Sequence, residues 1–468
     1  MMQVNSAAWQ VFRLSGMSHE SWSGRVGFIL ATTGSAVGIG SIWKFPYEVG
    51  SNGGGAFVLF YFAGLVLVVV PLMCAEFAVG RRGRGDAVAS IEAVSLASGA
   101  AKRWGLAGLW GILTGFLILS FYSVIGGWTL SYAVETVMHG LGGADAGAVQ
   151  ARYDALLASP LRMLAYHALF MACAALIVAR GIANGIETAS KVLMPVLLAL
   201  MLVLAAYSII EGDVAATLRF LLEIDPEHLT ARGALDALGL GFFSIGVGLG
   251  LMITYAAYAG KELDLKQVAI CSVVGDTIIS LLAGFAVFPI VFASGLDPAS
   301  GPGLVFITLP LAFVQMPFGT IAAACFFLLL FIAALASAIS MLELVVATLK
   351  GRFGWRRPSA SLCAAATCFI AGIATVFSFN VWANWYPLAW IDVLKTATFF
   401  DVLDLLTSNV MLPIGGFALA IFAGWVVPRA LLAEELRLGP TGAAILSGIL
   451  RYVAPFAIAA IAVLSVLI

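Results

Sequence analysis

Val37-Gly38-Ile39-Gly40 and Val247-Gly248-Leu249-Gly250 read almost alike, 210 residues apart (37 to 247), and each lies inside a long apolar segment. Glycine inside a helix costs about 1 kcal/mol relative to alanine. Its clustering at matching places in two halves of the chain predicts two interrupted helices. At membrane depth an interruption frees backbone N–H and C=O groups, each costing several kcal/mol if left bare in lipid. Those groups must face protein, a cavity or a ligand. Paired interrupted segments are the pattern that marks the binding site of a secondary transporter. The competing reading is close helix packing at small residues.

Composition sets the environment. The 468-residue chain is 62% hydrophobic and only 10% charged, with mean hydropathy +1.05; soluble domains carry about 25% charged residues. It is an all-α integral membrane protein. The net charge of −1 singles out no macromolecular partner: the lipid bilayer and a small solute are expected, no nucleic acid, and a monomer or weak homodimer. No apolar stretch precedes the mixed residues 1–24, so no cleaved signal peptide is expected. Cys74, Cys173, Cys271, Cys325, Cys363 and Cys368 all fall in apolar segments without metal-like spacing and read as packing residues.

Runs of about 20 apolar residues cross a bilayer. Eleven are predicted: 25–49, 55–80, 105–138, 163–180, 189–210, 235–258, 268–294, 317–349, 359–380, 399–427 and 445–468. Basic residues mark the cytoplasmic loops. Arg81, Arg82, Arg84, Lys102, Arg103, Arg180, Lys191, Lys261, Lys266, Lys350, Arg352, Arg356, Arg357, Arg429 and Arg437 share one side. This places the protein in the inner (plasma) membrane with the N-terminus cytoplasmic and the C-terminus extracytoplasmic. The longer polar loops 139–162 and 211–234 are then external. Spans one to five (25–211) and six to ten (212–428, opening with the loop 212–234) form two units. Five is odd, so the second unit is inverted relative to the first. Residues 429–468 add a loop and the eleventh span.

Half-helix N-termini suit a carboxylate, while unwound carbonyls suit sodium. Gly34, Ser35, Ala36, Val37, Gly38, Ile39, Gly40 and Ser41 surround the first break; Phe242, Phe243, Ser244, Ile245, Gly246, Val247 and Gly248 surround the second. Charges at membrane depth are costly unless paired, which singles out Glu76, Asp276 and Glu343. Lys44 and Asp404 either lie singly near the outer face or pair across it as a gate. Tyr122 is either a packing tyrosine or a donor to a bound carboxylate. Asn52-Gly53-Gly54-Gly55 lacks the Lys-Ser/Thr of a phosphate loop and reads as a tight external turn. No nucleophile–base pair or metal cluster falls within the spans, and His139, His167 and His228 sit outside or near span ends, so an enzyme is not expected.

The chain resembles the neurotransmitter:sodium symporter family in its eleven-span bacterial form. The resemblance rests on Trp43-Lys44-Phe45-Pro46, Asn52-Gly53-Gly54-Gly55-Ala56-Phe57, and Pro71-Leu72-Met73 with Glu76 and Gly80-Arg81. It extends through Arg180-Gly181-Ile182 with Gly185-Ile186-Glu187, Thr254-Tyr255-Ala256-Ala257-Tyr258, and Phe306-Ile307-Thr308-Leu309-Pro310. It implies the LeuT fold, a 5+5 inverted repeat with unwound helices 1 and 6, and inward transport of amino acids or amines driven by sodium through alternating access. The substrate carboxylate is then expected at Tyr122 and the backbone around Ala36, Gly38, Gly40, Ser244 and Gly248. Phe243 becomes the aromatic lid, and Lys44 and Asp404 the outer gate. Ile118, Gly246, Leu249, Ser337 and Met341 line the side-chain pocket. The amine-transporting branch has aspartate where Gly38 stands, so a neutral apolar or aromatic amino acid is expected.

The resemblance also implies one or two sodium sites. The first falls at Ala36, Ser41, Ser244 and Asp276, with Ser41 and Asp276 where the family has asparagines. The second falls at Gly34, Val37, Ala333 and Ser337, with Ala336 where a second hydroxyl is usual. Leu240 replaces a glutamine, and the inner gate pair is replaced by His19 and Gly351. Ser280 stands where chloride-independent relatives carry an acid. Asp276, with Glu76 as further charge support, is expected to supply that charge and make chloride dispensable. The alternatives are a proton-coupled or sodium-independent carrier of the same fold, or a transport-inactive ligand sensor.

Overall fold

The computed structural model describes residues 20–141, 146–296 and 304–467. Among these, nine helices are long and apolar enough to cross a membrane. A tenth crossing is the pair Arg25–Ala36 and Gly40–Ser51, bent by 55° across the first glycine motif. The sixth predicted span is divided by the second motif into the helices Ala231–Ile245 and Leu251–Ala257.

The two five-span units match element by element. The second, third, fourth and fifth spans are 29, 38, 20 and 30 residues long, and the seventh to tenth are 29, 35, 22 and 28. Each unit also places a shorter apolar helix between its second and third spans, Ala87–Ala97 in one and Val305–Val314 in the other. Inversion puts those two helices on opposite faces. The first span packs in the middle of the molecule against the fifth (Ile182–Glu211), seventh (Leu265–Ala293) and eighth (Gly319–Phe353).

The two breaks share letters but not physics. In the second, Gly246, Gly248 and Gly250 have φ of +70°, +94° and +80°, a region costing an L-residue about 1–2 kcal/mol. In the first, Gly38 and Gly40 keep ordinary φ, and proximity excludes a side chain. A Cβ on Gly38 would lie 2.6 Å from Ser337 Oγ and 2.9 Å from the Tyr122 hydroxyl.

The Asn52–Gly55 stretch forms the expected turn, with φ of +80° at Gly53 and +63° at Gly54. It is tucked beneath the loop 211–234: a Cβ on Gly54 would meet Phe220 O at 2.2 Å, and one on Gly53 the His228 ring at 2.3 Å. His167 corrects its expected position. It is fully buried within the fourth span, Pro160–Ala179, its Nε2 2.9 Å from Ser123 Oγ and its ring 4.8 Å from that of Phe369. The helix begins earlier than hydropathy placed it, and Gly372 leaves room for the ring, since a Cβ there would meet His167 Cε1 at 2.4 Å.

Candidate functional site

The two breaks face each other across a cavity of about 450 Å³, counting the open space at its mouth. Gly38, Gly40, Ile118, Tyr122, Phe243, Ser244, Gly246, Leu249, Ser337 and Met341 all line it, and among the described residues no charged side chain does. Two expected residues are not on its wall. Ala36 is fully buried in packing. Gly248 turns its N–H to Glu76 Oε1, 2.7 Å away, while its Cα approaches span ten so closely that a Cβ would lie 2.7 Å from Gly416 N. Ser35, named above only as a neighbour of the first break, also lines the wall, and Leu251 and Leu412 join it unanticipated. The apolar residues among them carry no sequence signal that separates a wall from lipid-facing packing. Beside Gly246 the space is taken by Leu251, whose Cδ1 would lie 3.1 Å from a Cβ there.

The polar end of the cavity is built from backbone and hydroxyls. The Tyr122 hydroxyl accepts the Ile39 N–H at 3.2 Å. Beside it, Ser337 Oγ lies 3.5, 3.2 and 3.3 Å from the carbonyl oxygens of Gly34, Ser35 and Val37. Three carbonyls converging on one hydroxyl form an oxygen cluster of the kind a hard cation selects. Ala333 is fully buried on the same helix, one turn before Ser337, and Ala336 brings only a methyl toward Gly34.

A second polar cluster surrounds Asp276, which is fully buried. Its carboxylate accepts from Ser41 at 2.5 Å and from the Tyr61 hydroxyl at 3.1 Å. Ser244 Oγ lies 3.1 and 3.3 Å from the two carboxylate oxygens and 2.8 Å from Ser41 Oγ. Ser41, Ser244 and Asp276 are thus together, as expected. Tyr61 was missed, being one aromatic among many in an apolar run. Ser280 is buried one turn beyond Asp276. Glu76 belongs elsewhere: it holds the second break by capping Gly248 rather than joining this cluster.

Outside Phe243 lies a second cavity of about 570 Å³, reaching Lys44, Asp236, Ser408 and Asn409. Phe243 borders both spaces and partitions them. Lys44 and Asp404 are not joined as a gate. The Lys44 ammonium stands 4.7 Å over the Phe243 ring, while Asp404 accepts from Ser408 at 2.7 Å. The physical reason is local: each charge finds a near partner, a ring face and a hydroxyl one turn away.

The opposite face is shut. Trp22 Nε1 donates to Tyr255 O at 2.9 Å. Glu20 accepts from Arg357 Nε at 2.7 Å and Lys350 Nζ at 2.8 Å, and a further Arg357–Glu20 bond is closer still. Arg357 also holds Glu343 at 2.6 Å, and Glu343 accepts from Tyr258 at 2.9 Å. The inner pair thought absent is therefore met by neighbours. His19 lies outside the described residues, and Gly351 packs on Asp86, with Oδ2 2.8 Å from its would-be Cβ. Glu20 and Lys350, one residue along from each, carry the ion pair.

The sequence profile of the sodium:neurotransmitter symporter family matches residues 19–151 and 161–411. The chain belongs to the sodium:neurotransmitter symporter family. It is 38% identical over 445 residues to the uncharacterised sodium-dependent transporter YhdH of Bacillus subtilis, covering 93% of this chain and 95% of that one. An uncharacterised sodium-dependent transporter of Haemophilus influenzae is 31% identical over 418 residues, covering 87% and 89%. Among solved structures, MhsT in complex with L-phenylalanine superposes with a TM-score of 0.86 at 39% identity, covering 96% of this chain and 99% of that one. This family member is accordingly a multi-pass membrane protein of the LeuT fold, a sodium-dependent transporter and not an enzyme.

Proposed function

We propose that the chain is a symporter that imports a neutral amino acid with an apolar or aromatic side chain, driven by sodium. The observation that carries this reading is a cavity with backbone and hydroxyl groups at one end, hydrocarbon elsewhere and no charged side chain. Such a cavity has no acid to meet the amine of a decarboxylated substrate and no room to add one at Gly38. It suits a ligand that brings its own carboxylate to Tyr122 and the half-helix N–H groups. The L-phenylalanine bound by MhsT is a ligand of this class.

One sodium is assigned to the oxygens of Gly34, Val37, Ala333 and Ser337. A second falls among Asp276, Ser41, Ser244 and the Ala36 carbonyl, with the substrate carboxylate completing its shell. Asp276 is the fixed negative charge that makes chloride dispensable. The basic loops face the cytoplasm of a plasma membrane, so the outer cavity receives substrate and the Glu20–Arg357 contacts close the exit.

Uptake by proteoliposomes tests this. Leucine, phenylalanine and tryptophan are expected to compete with one another, and uptake to stop when choline replaces sodium outside. Competition by aspartate or lysine but not by these three would overturn the substrate class. Undiminished uptake in choline would overturn the coupling.

A further inference from the structure

Arg451 sits on the π-helical turn Ile449–Val453 of the eleventh span, which begins at Pro440 and continues as helix to Leu467, and it is exposed on the surface of the bundle. Its guanidinium carbon stands 4.2 Å from the Trp425 ring centroid and 6.0 Å from that of Tyr452. Trp425 Nε1 in turn donates to the Arg451 carbonyl at 3.2 Å. Among the described residues, no carboxylate lies within ion-pair distance of Arg451. In contrast Arg81, Arg82 and Arg357, at the ends of other spans, each hold one.

Depth identifies the missing counter-charge. The tenth span, Phe399–Val426, has 28 residues, about 42 Å of helix, against a hydrocarbon core of about 30 Å. It overshoots the core, so Trp425, its penultimate residue, stands at the headgroup level, where tryptophan concentrates. The chain then continues into Arg429–Leu436, tied through Glu434 and Glu435 to Arg82 and Arg81, so this is the membrane face rich in basic residues. Spans ten and eleven touch backbone to backbone here: a Cβ on Gly424 would lie 2.7 Å from Leu450 O and 2.8 Å from Arg451 N. That contact, with the Trp425 Nε1 bond to the Arg451 carbonyl, holds the Trp425–Arg451 pair together. One turn before Arg451, Gly448 opens onto unfilled space. One turn after Tyr452, Phe456 is exposed on the same face.

The Arg451 guanidinium lies over the Trp425 ring and makes no hydrogen bond or ion pair with any described residue, so its N–H groups are free. The N–H edge of a guanidinium matches two oxygens of a phosphate in its own plane. We propose that Arg451, Trp425 and Tyr452 form a binding site for the phosphodiester headgroup of an anionic phospholipid, with an acyl chain running along Tyr452 and Phe456. The site stands apart from the substrate cavity and does not depend on which solute is carried.

Native mass spectrometry of the delipidated full-length protein tests it. The protein is titrated with phosphatidylglycerol, with phosphatidylcholine, and with phosphatidylglycerol against inorganic phosphate. Phosphatidylglycerol is expected to be retained in preference to phosphatidylcholine, R451Q to weaken its retention about fivefold, and phosphate not to displace it. W425L, which leaves the charge and the Gly424 contact, is expected to weaken retention about twofold to fivefold. Equal retention of the two lipids, displacement by phosphate alone, or wild-type retention by R451Q would each overturn the site. Should R451Q fail to purify as monodisperse protein, W425L decides, and undiminished retention by that variant overturns it.

Discussion

Asp276 receives hydroxyls from Ser41, Ser244 and Tyr61 and, among the described residues, has no basic partner within ion-pair distance. A buried carboxylate so placed is stabilised by a cation beside it, because removing either charge leaves the other unpaired in low dielectric. Neutralising it as Asp276→Asn keeps the shape and removes the charge. Sodium-driven uptake by this variant is expected to fall at least about tenfold in gluconate medium, a loss of roughly 1.4 kcal/mol, and to recover in chloride. Equal uptake by variant and parent in gluconate would remove Asp276 from the ion machinery. The glycines are tested differently. Gly250→Ala must adopt φ near +80° with a Cβ 2.9 Å from that of Ala87. It is expected to lower the unfolding free energy by about 1–2 kcal/mol, read as a lower thermal midpoint in detergent. At this scale the sequence announced both Asp276 and the glycines, because charge and missing side chains are conspicuous in an apolar run. It did not announce Tyr61, Leu251 or Leu412, which look like any other membrane residue until a neighbour gives them a role.

Between elements, the inner closure rests on the segment around Glu20 and Trp22 lying against spans five, six, eight and nine. Burial alone would raise the Glu20 carboxyl, but the hydrogen bonds and charges of Arg357 and Lys350 outweigh it and hold it below its ordinary 4.5. A depressed carboxyl contributes fully above its unpaired value and loses that contribution as pH falls through the depressed one. The closed inner face is therefore expected to hold from neutral pH down to about 4.5 and to loosen below it. Hydrogen exchange at Trp22 and Tyr255 through Tyr258 would report the loosening, and Glu20→Gln should show it already at pH 7 with no further acid response. A variant with parental protection at both pH values would deny Glu20 this part. These contacts join residues more than 300 positions apart, and no local pattern foretells such pairing. The same holds for Lys44 and Asp404, whose nearest partners turned out to be Phe243 and Ser408. Arg451 escaped notice because one charge in a long apolar segment barely alters its hydropathy.

Across the whole molecule, the pairing of spans by length and the twin breaks follow from one requirement: two inverted units must present backbone to a solute between them. That requirement was legible because it acts on runs of twenty residues and on glycine, both visible without coordinates. It also ties solute to ion. The Ser337 hydroxyl both lines the cavity and stands among the carbonyls of the proposed sodium cluster. Ser244 likewise lines the cavity and contacts Asp276. Ligands sharing such groups order each other's sites, and linkage makes the effect reciprocal. Sodium is expected to tighten amino-acid binding by about 5–150-fold, and saturating amino acid to tighten sodium binding by the same factor. Thermal shift gives one reading, since ligand at about 100 times its Kd adds about 2.7 kcal/mol to the folded state. A neutral amino acid should raise the midpoint in sodium and scarcely move it in choline, while equilibrium binding with each ligand varied in turn gives the two factors. Ser337→Ala leaves the cavity uncharged but removes the shared oxygen, and it should shrink both factors together. Two unequal factors, or a coupling left whole by Ser337→Ala, would separate the ion from the solute and leave the twin breaks with structure as their only purpose.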